Sequence, residues 1–143
     1  MYYLDTSVLV TVLTPEPQTS TMLAWIGEHA ADCVISDWVL TEFAGAVGAK
    51  SRRGDLTASD LQSARRGFDR MTAGQLPVLG VVRGDFRLAA QFIGSSTNAL
   101  RAGDAVHLAV ATREAQTIVT RDRRMSECAQ EVEIPCMLLG ETS

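Results

Sequence analysis

Met1-Tyr2-Tyr3-Leu4-Asp5-Thr6-Ser7 opens the chain with an apolar run that delivers one acid and two hydroxyls at its end. Such a run reads as a short buried strand. Thr6 to Leu13 then read as a helix, stopped at Thr14-Pro15-Glu16-Pro17 because proline lacks the N–H that would continue the ladder. The alternation repeats along the chain. A helix over about Thr19 to Ala30 precedes the strand Cys33-Val34-Ile35, and Ser36 stands where it would cap a helix from Asp37 to Arg53 that Gly54 ends. Thr57-Ala58-Ser59-Asp60 has the form of a capping box and opens a helix to about Ala73. A strand over Leu76 to Val82, a helix over Phe86 to Ile93 and a helix from Asp104 through Ala115 follow. The strand Thr117 to Thr120, a short helix over Met125 to Ala129 and a strand near Pro135 to Leu139 close the chain. Short strands alternating with helices predict an α/β fold with a parallel sheet covered on both faces.

At 143 residues with 46% hydrophobic content, the chain fits one domain, 1–143, with an ordinary core. It holds no apolar stretch long enough to span a bilayer and no basic-then-apolar export signal, so the expected location is cytoplasmic. Three cysteines, Cys33, Cys128 and Cys136, are odd in number and spaced unlike a zinc motif; burial is the expected role of each.

Three more acids share the apolar setting of Asp5: Glu42 within Trp38 to Ala44, Asp104 at the head of Ala105-Val106-His107-Leu108-Ala109, and Asp122 just after Thr117 to Thr120. Between Trp38 and Ala49 only Thr41 and Glu42 are polar, so no broad polar face carries Glu42 into solvent. Asp5, Asp104 and Asp122 each have a local alternative as helix caps or turn formers. Thr6, Ser7 and Thr120 are placed to orient carboxylates or to cap helices, and His107 reads as a hydrogen-bonded core or rim residue. In an open parallel sheet, ligands bind beyond the carboxyl ends of the strands, and four carboxylates gathered there stay ionised only beside a cation. An oxygen-only set favours Mg²⁺ or Mn²⁺ over zinc. Two such ions would suit in-line phosphoryl displacement, so phosphodiester hydrolysis is the implied reaction.

The net charge of −4 excludes a strongly basic nucleic-acid-binding domain, although the four acids alone equal that excess. The cations are twelve arginines and one lysine, with Arg121, Arg123 and Arg124 flanking Asp122 as candidate phosphate contacts.

Asp5-Thr6-Ser7, the run from Ser36 to Glu42, Arg101 to Ala109 and Thr120-Arg121-Asp122 together resemble the four signature blocks of PIN-domain ribonucleases, most closely the VapC toxins of type II toxin–antitoxin pairs. The resemblance spans about residues 1–139. It implies a PIN-like three-layer fold with a five-stranded parallel sheet, and Mg²⁺- or Mn²⁺-dependent endonucleolytic cleavage of RNA using one or two ions. It also implies a homodimer, neutralisation by a VapB-like antitoxin and a higher assembly with that antitoxin. Asp5, Glu42, Asp104 and Asp122 fall on its acidic positions, and Ser7 and Thr120 on its hydroxyl positions. The expected mechanism has Asp5 and Asp104 as principal ligands, Glu42 and Asp122 completing the site, and a metal-activated water attacking phosphorus in line to leave 5′-phosphate and 3′-hydroxyl ends. The alternative is a PIN-like module that binds RNA or antitoxin with little catalysis. A haloacid-dehalogenase-like phosphohydrolase would need an acid at Ser7. A receiver domain would need paired early acids and a late lysine, whereas the one lysine is Lys50.

Overall fold

The computed structural model describes residues 1–114 and 116–140. Five strands, β1 (Tyr2–Leu4), β2 (Cys33–Ser36), β3 (Val78–Leu79), β4 (Thr117–Thr120) and β5 (Cys136–Leu138), form one sheet in the order β3-β2-β1-β4-β5. Every neighbouring pair is parallel, with Tyr3 level with Val34 on one side and Ile118 on the other. Seven α-helices are present among the described residues: α1 (Thr6–Leu13), α2 (Thr19–His29), α3 (Asp37–Arg52), α4 (Ala58–Gly74), α5 (Arg83–Ser95), α6 (Ala102–Arg113) and α7 (Arg123–Glu131).

The chain leaves β1 toward β2 and then β3, and returns from β3 to β4 and β5 on the other side of β1. Right-handed crossovers in these two directions put α1 to α4 on one face and α5 to α7 on the other. The packing agrees: α1 lies against α2, α3 and α4, while α5 lies against α6. Burial on both faces explains why the inner strands carry no charged residues; Tyr3, Leu4, Ile35, Ile118 and Val119 are fully inaccessible.

Several helix boundaries have local causes. Asp5 caps α1 by accepting the Ser7 N–H, and the Thr57–Asp60 box that opens α4 is made in both directions, at 3.0 and 3.3 Å. Gly54 takes a φ of +82° just past α3, a conformation that a residue with a Cβ enters at a cost. The third strand is shorter than the run Leu76 to Val82 suggests. As an edge strand it pairs only with β2, through Val78 and Leu79, and the backbone turns into α5 by Arg83. The expected end of α6 at Ala115 lies outside the described residues. Cys33 and Cys128 are buried and Cys136 is half-buried, all as free thiols. No helix among the described residues is long and apolar enough to cross a membrane.

Candidate active site at the carboxyl edge of the sheet

Strands β1 and β4 are neighbours whose connections leave toward opposite faces, so their carboxyl ends border the crevice where an open α/β sheet accepts ligands. Asp5 directly follows β1, and its N–H donates to the Val119 carbonyl at 3.0 Å, which fixes it level with the end of β4. Its carboxylate is 3% exposed. Oδ1 accepts from the Ser7 N–H (3.1 Å) and hydroxyl (2.5 Å), and Oδ2 accepts from the Thr120 hydroxyl (2.5 Å). Those two hydroxyl oxygens in turn accept the N–H groups of Arg121 and Asp122, each at 2.9 Å, so one carboxylate organises both strand ends. Burial pushes the Asp5 pKa up, and the nearby His107 and the Ser7 and Thr120 hydroxyls offset part of that rise.

Glu42, in the second turn of α3, is held by Oε1, which accepts from the Thr6 hydroxyl at 2.9 Å and pairs with His107 Nε2. Partial burial disfavours its charge, but the His107 and Thr6 contacts outweigh that cost and hold the carboxyl below its usual range. His107 is 1% exposed. Its Nδ1 lies 2.7 Å from the Tyr3 hydroxyl, which lies 2.7 Å from the Ser36 hydroxyl. All four groups are satisfied with a neutral ring when Ser36 donates to Tyr3 and Tyr3 to Nδ1, and with a protonated ring when Nδ1–H donates to Tyr3 and Tyr3 to Ser36; in both, Nε2–H donates to Glu42. The relay connects β2, β1, α6 and α3. Ser36 occupies the cap position of α3 but makes no side-chain cap bond, because its hydroxyl serves Tyr3 instead.

Tyr3→Phe removes the central donor of this relay and leaves two buried polar groups short of a partner. The expected loss is about 1–2 kcal/mol of stability, read as a lower urea midpoint at unchanged m-value; an unchanged midpoint would show that the phenol hydroxyl contributes nothing.

Asp104 lies in the first turn of α6, whose N-cap position is held by Arg101 without a side-chain bond. Asp104 Oδ2 is buried with no hydrogen-bond partner. Burial pushes its pKa up; His107 and Arg101 lower it, and the like charges of Asp122 and Glu42 raise it further. Asp122 caps α7, its Oδ1 accepting from the Arg124 N–H at 2.9 Å. Next to Asp104, a Cβ on Gly103 would stand 2.9 Å from Glu42 Oε2 and 3.5 Å from Trp38 Nε1. A side chain here would displace the Glu42 carboxylate, and the position marks how closely α6 approaches α3.

Asp104 feels the charges of Asp122 and Glu42, and Asp5 and Asp104 both feel His107, yet among the described residues no three His, Cys, Asp or Glu side chains stand together closely enough to enclose an ion. The oxygens of Asp5 are taken up by hydroxyls, and one oxygen of Glu42 by Thr6 and His107. The donor chemistry fits a hard divalent cation: oxygen ligands only, including a buried Asp104 oxygen that lacks any hydrogen-bond partner. Of the flanking arginines, Arg121 turns toward α1, where Nη1 donates to the Thr11 hydroxyl at 2.9 Å. Arg123 and Arg124 are exposed on the first turn of α7. Sequence reasoning did not find the Tyr3–His107–Glu42 relay. Two signals were present: Tyr3 lies two residues before Asp5 on one strand face, and His107 lies three residues after Asp104 on one helix face.

No curated protein sequence matches the chain. Among solved structures it is similar to FitAcB from Neisseria gonorrhoeae, with 20% identity, 96% of each chain covered and a TM-score of 0.68. It is also similar to VapC20 of Mycobacterium tuberculosis, a sarcin-ricin-loop-cleaving toxin, with 15% identity, 89% of this chain and 94% of that one covered, and a TM-score of 0.70. VapBC2 from Rickettsia felis, bound to a DNA fragment from its promoter, has 14% identity, 97% and 98% coverage and a TM-score of 0.71. At these identities the likeness is one of fold. The PIN domain family matches residues 2–131, nearly the whole described sheet with its helices and all four acids. The chain belongs to the PIN domain family.

Proposed function

We propose that this chain is the toxin of a type II toxin–antitoxin pair, acting as a divalent-metal-dependent endoribonuclease restrained by a VapB-like antitoxin and working as a homodimer. Family membership supports the nuclease chemistry, and a toxin and a toxin–antitoxin complex among the structures of like fold support the biological setting. The observation that carries the site assignment is the buried, partnerless Oδ2 of Asp104 beside the charges of Asp122 and Glu42. A buried carboxylate oxygen left alone is costly, and a cation offsets that cost.

Asp5 and Asp104 are the principal ligands for Mg²⁺ or Mn²⁺, as one or two ions, with Glu42 and Asp122 completing the set. When bound, such an ion supplies positive charge at the scissile phosphate and a water nucleophile at neutral pH. The protein's own share is positional. Ser7 and Thr120 fix both oxygens of Asp5, while Thr6 and His107 keep Glu42 charged and oriented. Arg123 and Arg124 are the candidate contacts to flanking phosphates.

Asp5→Asn tests the reading, because asparagine still caps α1 while one charged oxygen is lost. RNA cleavage in Mg²⁺ should fall by about 100-fold or more, with the circular dichroism spectrum unchanged and 5′-phosphate ends on the products of the wild type. Full activity in the variant or in EDTA would remove the metal from the mechanism. The saturation of the Asp5 oxygens favours one second reading, a PIN-like module that holds RNA or antitoxin without cutting; RNA binding with no cleavage in either Mg²⁺ or Mn²⁺ would establish it.

A further inference from the structure

We infer that the cleft between α1 and α3 is the track along which the RNA backbone leaves the cleavage site, with Lys50, Arg53 and Arg121 as its phosphate contacts and Glu16 as a resident carboxylate that the strand must displace. This inference rests on the nuclease reading above. The cleft has a volume of about 430 Å³ and opens beside Thr6 and Ser7, so it is continuous with the acid edge. Lys50 follows Glu42 by eight residues along α3, which places it on the same helix face about 12 Å away. Arg53 lies just beyond the helix end, and alanines at 46 and 49 keep the floor low. Arg121 forms the opposite wall from the turn that also carries Asp122. Lys50 and Arg121 thus face each other across Glu16, and Arg53 follows Lys50 farther along the chain from Glu42, so cations border both walls of a cleft that begins at the acid edge, which suits a polyanion better than a single small anion.

The cleft already holds an anion of its own. Glu16, between Pro15 and Pro17, accepts from Lys50 Nζ at 2.8 Å and from the Thr11 hydroxyl at 3.0 Å, with Arg121 Nη1 at 3.5 Å. Amino, guanidinium and hydroxyl donors converging on one oxyanion are also the donors that hold a backbone phosphate. Lys50, Glu16 and Arg121 are each about one-fifth exposed, at 19%, 22% and 20%, so an entering strand reaches them from solvent. Sequence reading used Lys50, the only lysine of the chain, solely to set aside a receiver domain. Its function appears only when α3 is laid beside α1.

The test is binding of a fluorescent single-stranded RNA of random sequence, in EDTA so that nothing is cut, across a salt series. The double variant Lys50→Gln with Arg53→Gln should bind about tenfold more weakly at low salt. The slope of log affinity against log salt should be shallower by about 0.7 for each cation removed. Glu16→Gln should bind more tightly than wild type, and Lys50→Arg should bind like it. Wild-type affinity and slope in a folded double variant, or full displacement of the RNA by millimolar inorganic phosphate, would overturn the track. If the wild type cuts RNA while the double variant binds unchanged, only the track falls; if the wild type neither binds nor cuts RNA, the nuclease reading falls and takes the track with it.

Discussion

Asp104→Asn is expected to abolish RNA cleavage while raising the melting temperature of the metal-free protein by about 2–4 °C, or roughly 1 kcal/mol. The two effects share one cause. Asp104 Oδ2 is buried without a partner and its carboxyl is pushed to a raised pKa, first by burial and then, against His107, by Asp122 and Glu42. The side chain therefore costs the folded protein stability to hold its charge, which under the proposed function is a trade of stability for metal binding and activity. A group whose folded pKa is raised stabilises the fold below its unfolded value near 4 and loses that contribution as pH rises through the folded value. Metal-free wild type should thus weaken over that interval, and the asparagine variant should weaken less. Added Mg²⁺ should reverse the order, raising the wild-type melting temperature by mass action and leaving the variant unmoved. Equal melting shifts by Mg²⁺ in both proteins would show that Asp104 does not hold the ion.

Arg113→Ala should cost about 3 kcal/mol. Asp85 is 1% exposed, and Arg113 reaches it from the end of α6 with Nε at 2.7 Å and Nη2 at 3.0 Å. The same Nη2 donates to the Gly80 carbonyl at 2.7 Å, and Asp85 accepts the Val82 N–H at 2.9 Å to open α5. Truncating the arginine leaves a buried carboxylate with one remaining donor and frees the edge strand from α6. Because Arg113 is one-third exposed, water relieves part of the loss, which places the estimate at the lower end for a buried pair. Arg113→Lys should recover only part of it, since a single ammonium does not reproduce the forked contact. A change in the urea midpoint equivalent to less than about 0.5 kcal/mol would mean that Asp85 is hydrated rather than desolvated.

The elements legible from sequence were those with local causes. The limits of α1 coincide with Thr6 to Leu13 because Asp5 caps one end and the Pro15–Pro17 segment stops the other; α3 and α4 follow within about a residue because Gly54 and the Thr57–Asp60 box act on their own backbone. The elements read less well depend on partners far along the chain. Strand β3 extends only as far as β2 offers a register, and α5 begins at Arg83 rather than Phe86 because Asp85 turns back to the Val82 N–H. Helix α7 begins at Arg123 rather than Met125, with Asp122 as its cap.

The α/β class and the four candidate acids were legible in the sequence alone, because hydrophobic period and caps act within a few residues and an acid in an apolar run stands out wherever it falls; the family followed from the resemblance of four ordered blocks. Only the tertiary structure decided what each acid touches. Asp5 is enclosed by hydroxyls from two strand ends, Glu42 is tied to Tyr3 through His107, and Asp104 is left with an unanswered oxygen. These contacts join residues separated by as many as 115 positions. Their partners are chosen by sheet order and by the close approach of α6 to α3 at Gly103, neither of which is written in any local pattern.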